Sequence, residues 1–174
     1  MATAGQPDAA RTLLERVLLE YEGSLDCRAA LEHLGDLARS EGDEASAERR
    51  YRELLMRWPD LNATSGMVEV SLAEILLDRG GHEREHEALR LLKSAMDRRG
   101  PLQLDTNLFR WHVALVRAAE AVGDATTAKQ AATTALTLAE RGPRFTRHRD
   151  VGVVRADTKT ISWLRERAGL GLET

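Results

Sequence analysis

One short stretch of the sequence has the residue types and spacing of a metal-dependent hydrolase. His82, Glu83 and His86 spell His-Glu-x-x-His. On a helix this spacing places both imidazoles on one face to bind zinc, and the glutamate activates a water molecule. Gly80 and Gly81 come directly before His82, so we expect the motif to begin a helix rather than lie inside one. Because no third ligand stands out downstream, we interpret the stretch as a solvated helix start and keep an adventitious metal site and a zinc-dependent hydrolase as alternatives.

A second candidate is the basic segment 141–149, RGPRFTRHR. Its arginines and its histidine could contact the phosphates of a nucleic acid. The same charges would also suit a solvated turn near the negative ends of neighbouring helices. With 25 basic and 28 acidic residues the formal net charge is −3, whereas a nucleic-acid-binding domain is usually basic. We favour the solvated turn and keep nucleic-acid contact as an alternative.

No other chemistry can be assembled from the sequence. It has no nucleophile with a base and an orienting group, and no glycine-rich phosphate loop, so we expect neither an enzyme nor a cofactor. Cys27 is the only cysteine, which rules out an internal disulfide, and we expect it to be buried. The sequence shows no signal-peptide pattern and no apolar run of membrane-spanning length. We therefore expect a cytoplasmic protein without membrane contact, and its excess of arginine over lysine suggests a GC-rich bacterial genome.

Helices are the elements expected to position these residues. Aromatic residues make up 4% of the 174-residue chain, and alanine and leucine are frequent, a composition typical of an all-α domain. In the stretch 31–59 the apolar spacing predicts two helices joined by a tight turn at Gly42 and Asp43. The glycine is suited to the left-handed conformation that ends a helix, and the aspartate can cap the next one. Gly35 on the first helix permits a close crossing, and Tyr51 on the second fills the space beyond it.

This order of small, large and helix-ending residues resembles the tetratricopeptide repeat (TPR), a unit of two antiparallel helices. In the first unit the matching residues are Leu31, Leu34, Gly35, Ala38, Gly42, Asp43, Ala47, Tyr51 and Pro59. In the second they are Leu72, Ala73, Leu76, Gly80, Gly81, Ala88, Leu92, Ala95 and Pro101. In the third they are Leu115, Ala119, Gly123, Asp124, Ala128, Ala135 and Pro143. Equivalent alanines lie about 40 residues apart, against roughly 34 in the family, so HEAT-type repeats are the structural alternative.

The resemblance implies a short right-handed α-solenoid, TPR-like, with a capping helix at each end. We expect a disordered tail at 1–7 and one domain at 8–174. The expected segments of that domain are an N-terminal capping helix at 8–23, repeats at 27–60, 63–100 and 105–142, and a C-terminal cap at 143–174. In the capping helix, the residues expected to face inward are Leu13, Leu14, Val17, Leu18 and Tyr21. Ala132 leaves a gap where the first repeat has Tyr51, and we expect the C-terminal helix to fill it.

In TPR proteins the leading helices line a concave groove that binds a peptide or a partner's helix. The resemblance implies groove positions at Glu32, Asp36, Arg39, Val70, Glu74, Arg110, Val113 and Arg117. The sequence thus predicts a non-enzymatic module, such as an adapter, a scaffold or a regulatory subunit, that binds another protein or peptide. Glu32 and Asp36 stand where the chaperone-tail clamps of the family would need Lys and Asn, so we do not expect a co-chaperone. Self-association through the uncovered solenoid ends is a further alternative.

Overall fold

The computed structural model describes residues 6–98, 104–143, 145, 147, 148 and 150–170, with side chains from residue 8 onward. Over these residues the chain forms eight helices and no strand, which confirms the expected all-α class. The helices are α1 (Gln6–Glu20), α2 (Leu25–Ser40), α3 (Glu44–Arg57), α4 (Val68–Arg79), α5 (His82–Arg98), α6 (Asp105–Ala121), α7 (Ala125–Ala139) and α8 (Thr158–Ala168). Of the tail expected at 1–7, residues 1–5 lie outside the described residues, and α1 begins at Gln6.

The chain divides into two compact units. Unit 1 is Met1–Ile75 and unit 2 is Leu76–Thr174, so the boundary falls inside α4. In unit 1, α2 packs against both α1 and α3. In unit 2, α6 packs against α5 and α7, and α8 packs against α7. Each unit therefore contains a helical hairpin, α2–α3 or α6–α7. One further helix packs against the hairpin of unit 1, and one packs against each helix of the hairpin in unit 2.

The α2–α3 turn is held by the two residues expected to form it. Gly42 has a φ of +81°, in the left-handed region that favours glycine. The side chain of Asp43 accepts a hydrogen bond from the backbone N–H of Ser46, with an N···O distance of 3.0 Å. The backbone N–H of Asp43 donates to the carbonyl of Ala38 at 2.9 Å, so the turn satisfies polar groups of both helices. The prediction of a glycine stop followed by an aspartate cap is confirmed.

The same turn recurs between α6 and α7. Gly123 has a φ of +78°, and the side chain of Asp124 accepts from the backbone N–H of Thr127 at 3.0 Å. The backbone N–H of Asp124 donates to the carbonyl of Ala119 at 2.8 Å. The same number of residues separates Gly42 from Gly123, Asp43 from Asp124 and Ala38 from Ala119. The two hairpins are therefore built on one sequence pattern.

Their interiors reach similar packing with opposite residue sizes. In unit 1, Gly35 on α2 lies directly under Tyr51 of α3, and a Cβ added at the glycine would lie 2.5 Å from the ring. In unit 2, the register of the shared turn puts Val116 where Gly35 stands and Ala132 where Tyr51 stands, and both are fully buried. The large side chain is thus on the second helix of the hairpin in unit 1 and on the first helix of the hairpin in unit 2. Val116 thus places a larger side chain on α6 at the position paired with Ala132 in the shared register, and the C-terminal helix α8 packs against α7, the helix that contains Ala132.

The N-terminal helix α1 departs from expectation. Leu13 is 62% exposed and Tyr21 is 56% exposed, so the prediction that both face inward is wrong. The physical reason is that α1 packs chiefly against α2, and one neighbouring helix covers only a narrow strip of its surface. An apolar surface on α1 is therefore left open to solvent.

Candidate binding surface

The groove positions implied by the TPR resemblance differ in their exposure and in the partners they bind within the protein. In unit 1 Glu32 is only 5% exposed. Its carboxylate accepts a hydrogen bond from the backbone N–H of Ser65 at 2.7 Å and another from the Ser65 hydroxyl. Ser65 lies in the loop before α4, where Leu61 and Ala63 both have positive φ values. Glu32 is thus used to hold a loop in place rather than to contact another molecule.

Three further positions of unit 1 are also occupied internally. Val70 on α4 is 0% exposed and belongs to the core. Arg39 on α2 forms an ion pair with Glu74 on α4, with an N···O distance of 2.6 Å. The Glu74 side chain is 13% exposed, so water screens this pair only in part. The two charges neutralise each other and link α2 to α4.

Of the implied positions on α2, Asp36 is the exposed acidic one. One of its carboxylate oxygens accepts a hydrogen bond from the hydroxyl of Tyr51 at 2.6 Å. Burial of the phenol raises the pKa of Tyr51 well above its ordinary value, and the bond to Asp36 adds to that rise. The tyrosine therefore stays a neutral donor and fixes the carboxylate at the surface of unit 1.

An open apolar groove lies beside Asp36, between α1 and α2. Its volume is about 580 Å³, within the range of roughly 300–1,000 Å³ common for ligand sites. The apolar residues that line it are Ala10, Leu13, Leu14 and Leu37. The polar residues at its edge are His33, Asp36 and Ser40. We refer to these seven residues as the α1–α2 groove.

Sequence reasoning missed this groove although its signal was present. Ala10, Leu13, Leu14 and Val17 follow the spacing of an apolar helix face, which predicts an interior position. Periodicity identifies such a face without saying whether the chain itself provides a cover for it. Only the packing of α1 shows that part of this face remains open.

The positions in unit 2 lie on α6. Arg110 and Val113 are partly exposed. Arg117 forms an ion pair with Asp78, with an N···O distance of 2.6 Å and side chains 34% and 42% exposed. As with Arg39 and Glu74 in unit 1, a predicted binding charge is matched by an opposite charge of the same unit.

The His-Glu-x-x-His stretch begins α5 at His82, as predicted. The Nε2 atoms of His82 and His86 are 3.1 Å apart at the protein surface. Within the described part of the chain, no cluster of three or more His, Cys, Asp or Glu side chains is arranged to hold a metal ion. The third ligand that zinc peptidases use is thus not found among the described residues.

Part of the basic segment 141–149 is described. Arg141 pairs with Asp105 at 3.4 Å, and that carboxylate side chain is 3% exposed. Arg147 and His148 are exposed, while Arg144 and Arg149 lie outside the described residues. One arginine of the segment is therefore used to compensate a buried carboxylate at the start of α6.

Comparison with models of known protein families finds none that matches this sequence, and no curated protein matches it. None of the helices in the described ranges combines the length and the apolar character needed to cross a membrane. The α1–α2 groove combines an open apolar lining with one of the expected binding residues, Asp36, at its edge.

Proposed function

We propose that the protein is a non-enzymatic interaction module whose α1–α2 groove binds an amphipathic helix of another protein. The observation that supports this proposal is an open, apolar groove with an exposed carboxylate, Asp36, at its edge. An apolar surface left open beside fixed polar groups is typical of a binding site. An adapter, a scaffold or a regulatory subunit would use such a surface.

The form of the groove favours a helix as the occupant. Its walls are two packed helices, and on α1 the apolar side chains of Ala10, Leu13 and Leu14 recur at helical spacing. A third helix laid along them could place leucine-sized side chains at positions i, i+3 or i+4, and i+7 between the walls. Asp36 at the edge favours a lysine or arginine on the polar side of the same partner helix.

We also propose that the α2–α3 and α6–α7 hairpins are TPR-like repeats of an α-solenoid. Support comes from the shared Gly-Asp turn and from the contact between Gly35 and Tyr51. In TPR proteins the exposed face of a leading helix contacts the ligand, and here α2 is the leading helix that contributes Leu37 and Asp36 to the groove. Binding at α2 is what this proposal and the TPR resemblance have in common.

A displayed library of random helical peptides tests the function even though the partner is unidentified. We expect enriched peptides with an apolar i, i+3/i+4, i+7 pattern and a basic residue. Leu13→Asp should weaken their binding about tenfold or more, because burying one leucine contributes roughly 1.5–3 kcal/mol. Asp36→Asn, which keeps an acceptor for Tyr51, should weaken binding of the peptides that have the basic residue.

Leu19→Asp is the matched control, since Leu19 is 82% exposed on the same helix and does not line the groove. Failure to enrich any peptide, or equal affinity for the Leu13→Asp and Leu19→Asp variants, would refute the proposal. Sedimentation of the free protein adds a second check. A dimer that Leu13→Asp dissociates would make a second copy of the chain the occupant and would likewise overturn the proposed partner.

A further inference from the structure

The first turn of α5 brings two imidazole nitrogens together at the surface. His82 is exposed and His86 partly exposed, one helical turn apart. Their Nε2 atoms are separated by 3.1 Å and their ring centroids by 4.4 Å. In the absence of a metal ion this distance is that of a hydrogen bond between the two rings, and both Nε2 atoms must be free of a proton to bind an ion.

The separation suits two ligands of one metal ion. With metal–nitrogen distances of about 2.0–2.1 Å, two nitrogens 3.1 Å apart subtend about 100° at the ion. That angle lies between the square-planar and the tetrahedral values. Imidazole pairs suit Zn²⁺, Ni²⁺ and Cu²⁺, whereas Mg²⁺ and Ca²⁺ favour carboxylate and carbonyl oxygens.

We propose that His82 and His86 form a two-ligand surface site for Zn²⁺, Ni²⁺ or Cu²⁺. Water, or a group from another molecule, completes the coordination, since no larger cluster of ligating side chains occurs in the described ranges. The site holds an ion and differs from a peptidase centre, in which three protein ligands fix the metal beside a glutamate.

The neighbourhood of the pair sets the expected strength of binding. A helix start has partial positive charge, which disfavours a bound cation. The guanidinium of Arg84, which lies between the two histidines in sequence, donates to the carbonyl of Gly80 at 3.3 Å. Affinity should therefore come from the chelating arrangement, and loss of either imidazole should remove most of it.

Titration of the untagged full-length protein with each metal salt tests the site by calorimetry. We expect one ion per chain for Zn²⁺, Ni²⁺ or Cu²⁺ and no binding of Mg²⁺ or Ca²⁺. His82→Ala and His86→Ala should each weaken binding about a hundredfold, as expected when a two-point attachment becomes single. The matched control is His148→Ala, which removes an exposed histidine outside the helices and should leave the affinity unchanged.

Electron paramagnetic resonance of the Cu²⁺ complex adds a structural readout. Hyperfine splitting from two imidazole nitrogens is expected in the wild type and from one in His86→Ala. Circular dichroism should show both variants folded, since alanine favours helix. Equal metal affinity in the wild type and both variants, or a loss of affinity on His148→Ala instead, would overturn the proposal.

Discussion

Because Gly35 lies against Tyr51, we expect replacement of this glycine by alanine to destabilise unit 1. Replacing Gly35 by alanine would normally stabilise a helix by about 1 kcal/mol. Here the new Cβ would lie 2.5 Å from Cε1 and 2.8 Å from Cδ1 of Tyr51, far closer than ordinary contact. Either the ring or the helix must move by about 1 Å to restore normal packing.

The ring has little freedom to make that move. Tyr51 is 0% exposed, and its hydroxyl is bound to Asp36 at 2.6 Å. Overpacking of this kind costs about 1–3 kcal/mol, which outweighs the gain in helix propensity. We therefore expect Gly35→Ala to lower the free energy of unfolding by up to about 2 kcal/mol.

Urea denaturation followed by circular dichroism measures this loss, and a double-mutant cycle assigns its cause. Tyr51→Ala alone should cost about 3–5 kcal/mol by leaving a cavity. In the Gly35→Ala/Tyr51→Ala variant the alanine at position 35 no longer overlaps a ring. The stability loss of this double variant should therefore be smaller than the sum of the two single losses by about 1–3 kcal/mol. A stabilising effect of Gly35→Ala, or additivity within about 0.5 kcal/mol, would refute the account of this crossing.

Two further predictions concern a buried imidazole and a strained loop. Burial lowers the pKa of His112 from 6.5 to about 4. Between these pH values the imidazole is protonated in the unfolded chain but not in the folded one. The free energy of unfolding should therefore fall by at most about 3 kcal/mol as the pH drops from 6.5 towards 4. His112→Leu should flatten that part of the pH profile, and an unchanged difference between the two proteins across this range would contradict the assignment. Ala63 has a φ of +62°, in the left-handed region that favours glycine, so Ala63→Gly should raise the free energy of unfolding by up to about 1 kcal/mol. The control, Ala9→Gly within α1, should lower it by about as much, because glycine disfavours a helix. Thermal melting of both glycine variants checks the contrast, and a lower melting temperature for Ala63→Gly would count against strain in the loop.

Local chemistry made part of the fold predictable. Glycine followed by aspartate predicts a helix stop and a cap from properties of those two residues alone, and Gly42 with Asp43 forms that turn. The two glycines before His82 likewise predict that α5 begins at the histidine. At the C-terminal end, Asp157 caps α8 and Gly169 ends it in the left-handed conformation, for the same reasons.

Features that depend on distant neighbours were not predictable in this way. The sequence shows that Arg39 and Glu74 are charged, but only the folded structure brings the two side chains together. Glu32 falls at an expected surface position of a repeat and is nevertheless buried by the loop it binds. Leu13 is apolar and periodic, yet it stays exposed because nothing in the described part of unit 1 covers that side of α1.

The loop between α3 and α4 is attached at two points to a single helix. Arg28 of α2 binds Asp60 at 2.7 Å, and Glu32, one turn further along α2, binds Ser65. A protease must draw a segment into extended form before cutting it, and these two attachments oppose that movement even though Asn62 is exposed. Cleavage after Asn62 should therefore require α2 to release both attachments, so the rate of nicking at this loop reports the opening of the first hairpin.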